Sequence, residues 1–79
     1  MKLFGYTEKS HKKQEAPEPL TEITLVVNPE ELRKMAKFFN QKAQEIETLG
    51  TDFEHEHLSD IEDEFSNCPQ IIIYNDANL

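Results

Sequence analysis

The densest run of chemically able side chains is Asp52-Phe53-Glu54-His55-Glu56-His57-Leu58-Ser59-Asp60. Alternation along a strand places Phe53, His55 and His57 on one face and Glu54, Glu56 and Leu58 on the other. Two imidazoles beside a carboxylate are ordinary zinc ligands, which makes His55, His57 and Asp60 the candidate metal residues. Glu54 and Glu56 point away from that set, and the order His-Glu-His-Leu-Ser-Asp does not follow the H-x-H-x-D-H order of a zinc hydrolase. No metal and no cofactor are expected. Glu54, Glu56, Asp60, Glu62, Asp63 and Glu64 supply many carboxylates, but general acid–base catalysis needs a pocket that drives two pKa values apart. The same run lacks the glycine and the ligand spacing of an EF-hand. Cys68 has no cationic neighbour in sequence to favour its thiolate, so it reads as a buried structural thiol. Nothing here forms a catalytic set, and the chain reads as a non-enzyme.

One helix must organise whatever these residues do. Asn28 is a good N-cap, Pro29 suits the first helical position, and Asn28 with Glu31 has capping-box spacing. Leu32, Met35, Ala36, Phe39, Ala43, Ile46 and Leu49 then form a one-sided stripe, with Phe38 at its edge. Arg33, Lys34, Lys37, Gln41, Lys42, Gln44 and Glu45 read as the solvated face, and Gly50 as a left-handed stop. Strands are predicted at Lys2–Tyr6, Leu20–Val27, Phe53–Leu58 and Gln70–Tyr74, with Gly5 marking a bulge or bend. Residues 7–19 read as a mobile polar connector, Ile61–Pro69 as an acidic loop, and Asn75–Leu79 as a fraying tail. The order β-β-α-β-β predicts one α+β domain over residues 1–79. Its expected form is a four-stranded, mostly antiparallel sheet with the helix across one face. A single helix covers one face only, and the other is free for a second copy of the chain.

Charge narrows the partners. The 79 residues carry a net charge of −8. Residues 1–19 hold four lysines against three glutamates, and residues 20–50 hold four basic against five acidic side chains. Residues 51–79 hold eight acidic residues and no Lys or Arg, so the imbalance lies in the last third. That sign is wrong for nucleic acid and suits a basic protein, whose approach it would steer. A single cysteine excludes an internal disulfide, and no stretch has the apolar length of a membrane span. With no apolar core behind Met1–Tyr6, the expectation is a soluble, cytoplasmic protein with no membrane contact.

Four stretches together resemble a known family. They are Met1-Lys2-Leu3-Phe4-Gly5-Tyr6, Thr24-Leu25-Val26-Val27-Asn28-Pro29-Glu30-Glu31-Leu32, Phe53-Glu54-His55-Glu56-His57-Leu58-Ser59-Asp60 and Pro69-Gln70-Ile71-Ile72-Ile73-Tyr74-Asn75. The chain resembles the Immunity protein 32 family of bacterial polymorphic toxin systems, most specifically through the F-E-H-E-H-x-S-D stretch. It departs from that pattern at Asn67-Cys68-Pro69-Gln70. The resemblance implies a small cytoplasmic protein that binds and neutralises a cognate toxin domain without catalysis of its own. Glu54, His55, Glu56, His57 and Asp60 would form the recognition strand, extended by Glu62, Asp63 and Glu64. Two other classes stay open: a homodimeric structural or regulatory protein without a toxin partner, and a metal-binding protein using His55, His57 and Asp60.

Overall fold

The computed structural model describes residues 1–13 and 15–79; Gln14, inside the predicted connector, lies outside the described residues. The dominant element is the predicted helix, here α2, Pro29–Leu49. Its entry follows the sequence closely. The Asn28 side chain accepts the Glu31 backbone N–H at 2.8 Å, and Glu31 Oε1 accepts the Asn28 N–H at 3.0 Å. This reciprocal box satisfies two donors that the first helical turn leaves free. At the far end Gly50 takes φ 56° and ψ −132°. That is not the left-handed helical stop expected, but the mirror image of extended backbone, a region open essentially to glycine.

Among the described residues nine short elements accompany α2: β1 (Leu3–Gly5), α1 (Glu8–Lys12), β2 (Glu18–Leu20), β3 (His55–His57), α3 (Leu58–Ile61), β4 (Ile72–Tyr74), and turns of 3₁₀ helix at Gly50–Asp52, Asp63–Phe65 and Asp76–Asn78. The class is α+β, but the single four-stranded sheet is replaced by two antiparallel pairs, β1 with β2 and β3 with β4. Each strand pairs with a partner close along the chain, the pairing that costs least loop entropy. Leu3 faces Leu20, Phe4 faces Pro19 and Gly5 faces Glu18 in an unbroken ladder. Gly5 therefore marks no bulge. A Cβ on it would lie 2.8 Å from Leu20 Cδ1, so the missing side chain makes room for that leucine.

The predicted second strand is mostly absent. β1 templates only three residues, and pairing ends at Leu20. Beyond it Ile23, Leu25 and Val26 are exposed, and only Val27 packs against the core. The predicted connector is partly structured instead. The Thr7 side chain accepts the Ser10 N–H at 3.0 Å and Ser10 Oγ accepts the Thr7 N–H at 2.8 Å, which closes a capping box at the start of α1. Lys9, His11 and Lys12 then sit at the helix end that favours cations. The acidic loop likewise contains α3 and the Asp63–Phe65 turn.

The core is built by α2, α3, the Asp63–Phe65 turn and the chain around β4. Met35, Phe38, Leu58 and Phe65 are buried together, with Val27, Ile71 and Ile73 packed against them. Helix α2 is thus rotated from its predicted orientation. Phe38 lies at the centre of the core, not its edge, while Leu32, Phe39 and Leu49 remain exposed. Lys42, assigned to the solvated face, is buried. Its ammonium donates to Glu45 Oε2 at 2.9 Å and lies 5.5 Å from the Phe38 ring centroid. The long aliphatic stem of a lysine lets it line apolar surface while its charge finds a partner, which a simple hydrophobic stripe does not register.

Candidate functional site

The β3–β4 pair carries the residues singled out by sequence. His55 faces Tyr74, Glu56 faces Ile73 and His57 faces Ile72 across the ladder. Ile73 packs on the core, and the half-buried Glu56 shares its side of the pair. The opposite side bears both histidines. Their ring centroids lie 5.4 Å apart, and the His55 ring stacks on Tyr74 at 6.1 Å with the planes 8° apart. Tyr74 and Ile72 are each about half exposed. The outward face of the hairpin is therefore an aromatic and imidazole platform, with the Glu54 carboxylate against the His55 ring.

Polar side chains lie against both imidazoles, and His57 is hydrogen-bonded. His55 Nδ1 lies 3.3 Å from Glu54 Oε1, and His57 Nδ1 lies 2.8 Å from Gln70 Oε1. An amide oxygen only accepts, so in this contact His57 Nδ1 is the donor. Asp60 lies exposed on α3. Among the described residues no three His, Cys, Asp or Glu side chains are grouped as a metal site would need. The predicted carboxylates divide by role. Glu54, Asp60 and Asp63 are exposed, and Glu62 is half-buried. Glu64 is ion-paired with Lys34 of α2, and this hydrogen bond raises the Lys34 pKa above its ordinary 10.5. Glu64 thereby ties the acidic turn to the helix. Cys68, expected to be buried, is exposed and free.

The residue that holds this hairpin in place is one the sequence reading assigned to a fraying tail. Asn75 is 2% exposed. Its Nδ2 donates to the Gly50 and Phe53 carbonyls, each at 2.9 Å, and its Oδ1 accepts the Ala77 N–H at 3.2 Å. The Asn75 N–H also donates to the Glu54 carbonyl at 2.8 Å. Asn78 adds bonds to the carbonyls of Thr51 and Phe53 at 3.1 and 2.8 Å. The last turn thus clasps the segment between α2 and β3. The available signal was Asn75-Asp76-Ala77-Asn78, since asparagine side chains readily bond backbone two residues on.

No protein-family model, curated protein or solved structure matches the chain. No helix among the described residues is long and apolar enough to cross a membrane.

Proposed function

We infer that this chain is a small, non-catalytic, cytoplasmic binding protein whose acidic third docks on a basic protein partner. Following its resemblance to the Immunity protein 32 family, that partner is a cognate bacterial toxin domain, which it neutralises by contact. The observation that carries the reading is charge segregation: residues 51–79 hold eight acidic side chains and no Lys or Arg. Glu54, Asp60 and Asp63 are exposed, and Glu54 lies against His55 in the platform of His55, His57 and Tyr74. Aromatic groups ringed by charge give an interface a desolvated centre and a steering rim. Neither nucleic acid nor a membrane surface favours a patch of this sign.

The test is capture of partners from the native host with wild type and with a Glu54→Lys, Asp60→Lys, Asp63→Lys variant. One stoichiometric basic protein, released by salt, should bind wild type at least about tenfold tighter than the variant and lose its steep salt dependence with it. Equal capture by the two proteins would refute the acidic docking surface. A captured partner without toxic activity in the host would remove the immunity reading and leave the binding surface standing.

A further inference from the structure

Helix α2 carries two apolar lines, and the fold uses one. At about 100° per residue, Leu32, Ala36, Phe39, Ala43 and Ile46 lie about 90° round the helix from Met35, Phe38 and Lys42. Leu32 and Phe39 are 53% and 41% exposed, Ala36 and Ala43 are exposed, and Ile46 is half-buried. Leu32, Phe39 and Ile46 recur every seventh residue, and Ala36 and Ala43 do the same. A seven-residue repeat is what keeps a seam against a second helix. The two alanines let the axes approach near the lower limit of helix packing, about 8 Å.

Charge selects the second helix. Arg33 and Glu47 border this line at opposite ends, and neither makes an ion pair among the described residues. Glu47 also opposes its own helix dipole, since it lies in a last turn that has no basic residue. An antiparallel copy pairs both. With Phe39 against the partner's Phe39, Leu32 meets the partner's Ile46, Ala36 meets the partner's Ala43, and Arg33 meets the partner's Glu47. Two-fold symmetry repeats every contact.

We propose that the protein forms a two-fold dimer by antiparallel pairing of α2 along Leu32, Ala36, Phe39, Ala43 and Ile46, closed at each end by Arg33 and Glu47. The seam does not involve the acidic hairpin, so it stands or falls apart from the partner reading above.

Sedimentation equilibrium of the full chain from about 1 to 300 µM covers the affinities of interfaces below the standard size. Within one chain Arg33 and Glu47 lie about 21 Å apart along the helix, so they cannot pair with each other. Rescue by charge exchange therefore reports contact between copies. Wild type should pass from monomer to dimer across the range. Arg33→Glu or Glu47→Arg alone should weaken association about tenfold, and the two together should restore it to within about threefold. Ala43→Arg, at an exposed position tolerant of helix, should abolish dimers while leaving the far-UV circular dichroism unchanged. Monomer throughout the range overturns the proposal, as does a double exchange that fails to recover. A dimer indifferent to Ala43→Arg also overturns it and places the contact elsewhere, for example at Ile23–Val26. If Ala43→Arg disturbs the helix, the charge exchange decides alone.

Discussion

Asn75 shows how much a single polar side chain can hold in a chain this small. Its amide satisfies the carbonyls of Gly50 and Phe53, which lie where α2 has ended and β3 has not begun. Asn75→Ala leaves both oxygens without this donor, at a cost of about 2 kcal/mol. For a domain near this size that is a fall of roughly 10 °C in the melting midpoint, readable by circular dichroism. A midpoint within about 2 °C of wild type would mean that water or Asn78 takes over the bonds. Ser10 makes a related point. It closes a capping box in the position usually held by Glu or Gln, so the start of α1 was legible in Thr7-Glu8-Lys9-Ser10 only if serine is admitted to that role. His55 and His57 were legible as a pair on one strand face. Their partners Tyr74 and Gln70 were not, because strand register does not follow from either strand alone.

At the scale of elements, α2 was readable to its ends because its signals are local: a capping asparagine, a proline in the first turn, and a glycine at the stop. Its rotation was not. Phe38 and Phe39 are adjacent, and periodicity alone puts Phe39 in the stripe. The choice falls to Phe38 because Leu58, Phe65 and Met35 meet on its side and Lys42 covers its ring. Truncation separates the two. Phe38→Ala should cost about 3–5 kcal/mol, since it opens a void in the packed core, whereas Phe39→Ala should cost under about 1 kcal/mol in the monomer. Urea unfolding at low protein concentration measures both. Equal losses would contradict the orientation of the helix. Three strands were placed approximately and the second mostly failed, since only Leu20 of Leu20–Val27 is in a strand; the grouping into one sheet was not legible, since nothing in a strand's sequence names its neighbour.

Taken whole, the molecule divides its labour along the chain. The core draws on residues from Val27 to Ile73, while β1, α1 and β2 place no side chain in it. The acidic third lies at the other end, and its carboxylates repel one another between copies and, under the function proposed above, would invite a basic partner. Those two roles share one electrostatic condition, which is that the carboxylates stay ionised. The sequence isoelectric point is about 4.7.

Near that pH the bare stretch after β2 acquires a different meaning. Ile23-Thr24-Leu25-Val26-Val27 is β-branched or aliphatic, carries no charge, and leaves Val26 94% exposed. Segments of this composition stack into cross-β fibrils when nothing keeps the chains apart, and Glu22 and Pro29 are the nearest gatekeepers. Mild warming near the isoelectric point should therefore yield thioflavin-binding aggregates that the same warming at pH 7.5 does not. Val26→Lys should suppress them with the native circular dichroism retained. Aggregation unchanged by that substitution would assign nucleation to another part of the chain. On this view the surplus of negative charge guards this stretch against aggregation, besides the partner-steering role proposed for it.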